Sequence, residues 1–292
     1  NSDDVRPANQ SIHIRSKQGK DRCNGIVGQA WVIEALVAAA DSFNEPSWYE
    51  AAEELFLLHP WDPKTCLWDR VEPDGAVLSA DGTFNHQLWF AAAASMLNRT
   101  PLAQERAHEF LTRVAARVQA YRNGVVKHSS PMWSVAHGFR HGMRRGLGGL
   151  RGRLRTSLPN TVMYKKSVGY HGFNMYAYAM LKQAFPEHPF WSSNRFNHLL
   201  RPVRDERLEA ELDQSIFSWH YNVTGIEFAF AAETFLEDTD LAGRWLNKQF
   251  SRTWLSEQEP LARDATDRHT ANARLYEAAR LRSDYWIQLP HE

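Results

Sequence analysis

The feature that most constrains this chain is an alternation of two kinds of segment. NGIVGQAWVIEALVAAA from Asn24, NHQLWFAAAASML from Asn85, YHGFNMYAYAML from Tyr170, NVTGIEFAFAAETFL from Asn222 and HTANARLYEAARL from His269 each open on Asn, His or Tyr and then run small and apolar. Between them lie more charged stretches with helical spacing, at 46–58, 101–121, more weakly around 190–200, and at 240–250. An amphipathic helix keeps one face in water, whereas a helix that is apolar all round must be covered on every side. The alternation therefore predicts two layers of helical hairpins, with the apolar helices inside.

In a ring of such hairpins all inner helices run the same way and bring their N-terminal ends to one rim. Asn24, Asn85, His86, Tyr170, His171, Asn222 and His269 would then face a shared funnel, where unpaired N–H groups and helix dipoles favour an anion. The expected fold is all-α: an (α/α) toroid of helical hairpins, incomplete or missing its first hairpin, with a short β-hairpin insertion. VEPDGAVLSADG (71–82) carries the glycines and aspartates that suit the hairpin turn. Residues 1–20 are polar and aperiodic and read as a tail or the end of a missing segment; 21–292 read as a single domain.

A chain of 292 residues that is 43% hydrophobic can bury a substantial core. Its longest apolar stretches fall short of the ~20 residues that span a bilayer, so no transmembrane segment is expected and the chain reads as soluble. The compartment, whether periplasmic, secreted or cytoplasmic, stays open, as does the oligomeric state. Cys23 and Cys66 are too few for a disulfide framework and lack zinc-ligand spacing, so no metal or other cofactor is expected. Charge is balanced overall, yet residues 111–186 hold thirteen Lys and Arg and no acid. Within them the Gly/Arg-rich loop at 138–158 reads as a solvated insertion, a capture surface for an anionic polymer or phosphate, or a contact for an acidic membrane surface. GLGGLRGR is no P-loop, since no strand precedes it and no GK[ST] follows, and nucleic acid is not an expected partner.

The pair Asn85–His86 with Trp89 in NHQLW, and the pair Tyr170–His171 in GYHGFNMYAYAML, resemble motifs of the α/α-toroid polysaccharide lyases of alginate-lyase type. The resemblance implies an acidic, uronate-containing carbohydrate as substrate. It also implies β-elimination: a uronate loses the proton beside its carboxylate and then expels the 4-linked sugar. On that likeness Asn85 would hydrogen-bond the carboxylate, His86 would assist it or take the proton, and Tyr170 would supply the base or acid, with His171 beside it. Asn24, Trp31, Trp89, Asn174, Asn222, Glu227, His269 and Arg274 would contact the substrate near the rim.

Blander readings accompany each residue. Asn85 and Asn222 suit helix N-caps, and Tyr170 and His171 suit packed aromatics with satisfied polar tips. Repetition of the same opening on five segments is what favours a site. A glycoside hydrolase on the same ring is the main rival, with Glu34, Glu72, Asp74 and Asp81 as its carboxylates. A uronyl epimerase and a non-catalytic sugar-binding protein are the remaining alternatives. HGFRH (137–141) spaces two histidines for a metal, but its basic, glycine-containing surroundings weigh against one.

Overall fold

The computed structural model describes residues 21–128, 161–205, 207–282 and 284–290. The proposed tail at 1–20, HGFRH and the loop at 138–158 lie outside the described residues.

Helix α1 (Val27–Phe43) follows Asn24 and Gly25, both at positive φ, and ends at Asn44, again left-handed. Proline at the first turn opens α2 (Pro46–Leu57) and α4 (Pro101–Arg113), where its missing N–H is no loss. Between α2 and α3 (Phe84–Met96) a small antiparallel sheet runs β1 (Trp61–Asp62), β2 (Leu67–Val71), β3 (Val77–Ala80). Trp61 pairs with Trp68 and Asp69 with Ala80, and the register shifts before Val71 pairs with Val77. The hairpin expected at 71–82 is thus the β2–β3 pair, with β1 added at its edge.

The second half holds α5 (Thr161–Gly169), α6 (His171–Ala184), α7 (Asn194–Arg204), α8 (Arg207–Asp213), α9 (Thr224–Leu236), α10 (Thr239–Thr253) and α11 (Arg268–Ala273). Ser193, Asp238 and Asp267 cap α7, α10 and α11 by accepting backbone N–H groups. The fold is mostly helical with one small sheet.

Burial separates α3, α6 and α9 from the charged helices as the sequence predicts, but α1, expected to be covered on every side, buries seven of its 17 residues. Every residue of 87–95 in α3, 171–181 in α6 and 224–232 in α9 is buried, whereas α4 buries only Ala103, Ala107, Phe110 and Leu111. Helix α1 packs on α3, α3 on α6 and α6 on α9, with α2, α4 and α10 behind α1, α3 and α9. A 3-10 run, Arg274–Arg280, follows α11 and packs on α9. It reaches α1 through Glu34, which accepts from Tyr276 Oη (2.8 Å) and from Arg280 Nε and Nη2 (3.0 and 2.6 Å).

Two other segments depart from expectation. The helix predicted over 101–121 stops at Arg113; a 3-10 turn follows and Ala120 pairs with Val126 instead. Gly124 permits that return, at φ 99 with the His198 carbonyl 2.1 Å from where a Cβ would stand. The fifth apolar segment is a short α11 joined to the 3-10 run rather than a full inner helix. In 3-10 geometry residues i and i+3 eclipse, which sets Arg274 beside Glu277.

Candidate functional site

The N-terminal ends of α1 and α3 meet at Asp81. One of its carboxylate oxygens accepts the N–H of Ile26 (3.0 Å) and His86 Nδ1 (2.8 Å), and the other accepts the N–H of Thr83 (2.9 Å). Burial opposes the charge on Asp81, but His86 and these hydrogen bonds outweigh it and hold the carboxyl down at about 2. An ionised carboxylate only accepts, so Nδ1 of His86 directs its hydrogen to Asp81, and Nε2 is the nitrogen left for another partner. Nε2 has no hydrogen-bond partner among the described residues, and the side chain keeps 21% of its surface exposed.

Gly25 makes this contact possible. A Cβ there would stand 2.1 Å from Asp81 Oδ2 and 2.4 Å from His86 Nδ1, and its φ of +64° is one that side chains rarely adopt. Asn24, half-buried, shares the left-handed turn. Beside His86, Asn85 is 3% exposed with neither amide atom partnered among the described residues. A buried amide in that condition costs about 1–3 kcal/mol, so it is an unusual group to place at a helix start.

Tyr170 joins α5 to α6. Its hydroxyl lies 3.2 Å from that of Tyr221, and its ring packs on His128 (4.7 Å), Phe217 (5.7 Å) and Phe173 (5.9 Å). Burial, then the Tyr221 hydroxyl, push its pKa well above the ordinary phenol value, so the group stays protonated. Against the Tyr170 ring, His128 has its imidazole pushed down to about 3, by burial first and then by the Lys166 charge, and it is neutral.

Other expected rim residues sit deeper. His171 is fully buried, with Nδ1 accepting the Val126 N–H (3.2 Å) and Nε2 donating to the Leu199 carbonyl (3.1 Å); both nitrogens are committed. Trp89 is fully buried between Phe173 (4.6 Å) and Tyr176 (5.3 Å), so it is core rather than a sugar platform. Trp31, half-buried, meets both Trp89 and Phe173 edge-on. Asn174 is buried and donates back to the Tyr170 carbonyl.

Asn222, Glu227 and Arg274 form an internal lattice rather than a substrate surface. Arg274 donates to Glu277 (2.7 Å), Glu227 (2.5 Å) and Asn222 Oδ1 (3.0 Å), while the Asn222 amide donates to the Gly169 and Phe217 carbonyls. Burial raises the pKa of Glu227 and Glu277 against the pull of Arg274. Gly172 admits Glu227 Oε2 to within 2.5 Å of its virtual Cβ. His269 is exposed on α11 and belongs to neither group.

The carboxylates proposed for hydrolysis are also engaged. Glu34 holds Arg280 and Tyr276, Glu72 accepts the N–H groups of Arg22 and Cys23, Asp74 closes the β2–β3 turn through Ala76 N–H, and Asp81 serves His86. A depression of about 170 Å³ lined by Glu233, Thr234, Glu237, Thr239 and Arg282 lies at the other end of α9, far along the chain from these groups.

Sequence reasoning missed Gly25, His128 and Tyr221. The Asn24-Gly25 dipeptide ahead of an apolar run was a readable turn signal, whereas His128 and Tyr221 stand in no motif and meet Tyr170 only by folding. Among the described residues no group of His, Cys, Asp and Glu could hold a metal ion, and no helix is long and apolar enough to cross a membrane.

No family profile matches the chain, and no solved structure does. Archaeal glycosylation protein Q of Haloferax volcanii, in contrast, is 35% identical over 297 aligned positions that cover 99% of this chain and 80% of that protein. An identity of that size along the whole length places the chain in the family of archaeal glycosylation protein Q.

Proposed function

We propose that this protein is a carbohydrate-active enzyme that takes the proton beside the carboxylate of a uronate and eliminates the 4-linked sugar, as alginate-lyase-type enzymes do. The observation that carries this reading is the Asp81–His86 pair, which fixes the imidazole with Nε2 outward. A neutral imidazole held by a carboxylate is a general base suited to neutral pH. Tyr170, kept protonated, is the acid for the leaving oxygen. Asn85, buried beside His86 with its amide unpartnered among the described residues, is the group assigned to the uronate carboxylate, where negative charge grows as the proton leaves.

The architecture behind this site is proposed to be an α/α toroid, supported by the succession α1, α3, α6, α9 and by Glu34 tying Arg280 back to α1. The relative's name, a glycosylation protein, supports a sugar substrate. Hydrolysis loses support because Glu34, Glu72, Asp74 and Asp81 are each occupied by other partners. A uronyl epimerase uses the same base, and a name concerned with attaching sugars favours it as the second reading.

The test is the bond that is made. Cleavage of a uronate oligomer by the protein should generate ultraviolet absorbance from the conjugated double bond, take up no labelled oxygen from water, and fail on the carboxyl-reduced oligomer. Uncleaved product carrying solvent deuterium next to its carboxylate would move the assignment to epimerisation, and labelled oxygen would move it to hydrolysis.

A further inference from the structure

Elimination with His86 as base and Tyr170 as acid displaces two protons. The carbon–hydrogen electron pair becomes the new double bond while the proton goes to His86 Nε2. The carbon–oxygen bond breaks onto the leaving oxygen, which takes the Tyr170 proton. The enzyme is then left with an imidazolium and a phenolate and must be reset before the next turnover. His86 is partly exposed and can release its proton to water or a buffer base. Tyr170 is half-buried, with its ring flanked by those of His128, Phe217 and Phe173.

Its hydroxyl does, however, touch one that faces solvent. Tyr221 lies just ahead of α9, is 52% exposed, and stands with its hydroxyl 3.2 Å from that of Tyr170. Its ring also meets Phe217 (5.6 Å) and Tyr170 (5.9 Å), so its position is set from two sides. A tyrosine hydroxyl both donates and accepts and its hydrogen rotates freely, so one bridging hydroxyl suffices for a relay.

We infer that Tyr221 is a positioning residue that returns the proton to Tyr170: its O–H donates to the Tyr170 phenolate, and Tyr221 is reprotonated by water or a buffer acid. This rests on the elimination reading with Tyr170 as acid. Mass and charge balance over the cycle, since the proton that His86 releases equals the one that Tyr221 takes up.

Tyr221→Phe removes only the hydroxyl of an exposed side chain and tests the relay. On a uronate oligomer at low buffer concentration, steady-state kcat should fall at least about tenfold, the low side of what proton-transfer groups contribute. KM and the first turnover should hold, and added imidazole buffer should restore kcat in Tyr221→Phe without accelerating the unaltered protein. An undiminished kcat at low buffer would overturn the relay. So would a loss that appears already in the first turnover and resists imidazole, since Tyr221 would then only hold the Tyr170 ring. Tyr170→Phe separates the two layers of the argument: a normal first turnover in that variant removes the acid assignment itself, whatever Tyr221→Phe does.

Discussion

Asp81 and Glu227 are both buried carboxylates near the N-terminal end of a largely buried helix, and their surroundings drive them in opposite directions. Asp81 collects a histidine and two backbone N–H groups, and its pKa falls. Glu227 has one oxygen on Arg274, the other unpartnered among the described residues, and a second carboxylate close by; burial wins and its pKa rises. The contrast separates a site from a scaffold. Around Asp81 the chain leaves one strong group, His86 Nε2, unused. Around Glu227 the cation has its donors bound to Glu277, Glu227 and Asn222, and what remains unpartnered is acid oxygen sealed from solvent.

The largest effect expected from this contrast is on activity. His86→Ala should lower kcat on a uronate oligomer by about 10²–10⁴, the usual contribution of a general base. Asp81→Asn should lower it less, because an amide oxygen still accepts from Nδ1–H but brings no charge to steady the imidazolium that forms when the proton is taken. Retained turnover in His86→Ala would dissolve the distinction between the two regions, since neither would then hold the base.

The next effect is on stability, and it falls on the other region. Arg274→Met strands Glu227 and Glu277, and removing one partner of a buried ion cluster costs about 3–5 kcal/mol. For a chain of this size that lowers Tm by roughly 6–20 °C. His86→Ala should lower Tm by less than half as much in the same melt, because Asp81 keeps its two backbone donors. A larger drop for His86→Ala would make the rim pair structural.

How much of this was readable beforehand differs between the two regions. Burial of α3, α6 and α9 followed from their unbroken apolar runs, and Asn85–His86 announced themselves by standing ahead of one. Asp81, five residues before His86, reads from the sequence as an acid for hydrolysis, because one of the donors that fix it, the Ile26 N–H, lies 55 residues away. Arg274 and Glu227 looked like rim groups from their helix-start positions. Nothing local reveals that Arg274 would meet an acid 47 residues upstream and another three residues downstream on a 3-10 turn. Pairing across that distance is decided by the packing of α9 on the last segment, which periodicity alone does not specify.

The smallest expected effects lie in the pH dependence, and they test the contrast most directly because the signs are opposite. Asp81 has its pKa depressed from an ordinary 3.8 to about 2. Its ionised form is therefore favoured by folding, and the stability it adds, roughly 2 kcal/mol, is present above pH 3.8 and lost as pH falls through 2. Glu227 has its pKa raised from 4.5, so folding favours its protonated form. The stability it adds is complete below pH 4.5 and is lost as pH rises through the raised value. Glu227→Gln keeps the volume and fixes a neutral group, and Arg274 retains Glu277 as its counter-charge. We expect it to change stability by no more than about 1 kcal/mol at neutral pH, and to gain on the unaltered protein as pH rises above 4.5. Asp81→Asn should show the reverse, losing to the unaltered protein at neutral pH and converging with it toward pH 2. Denaturant midpoints measured across that range for the three proteins read both signs. Parallel curves for the two variants would mean that Asp81 and Glu227 share one electrostatic environment, and that His86 owes its outward nitrogen to something other than the carboxylate beneath it.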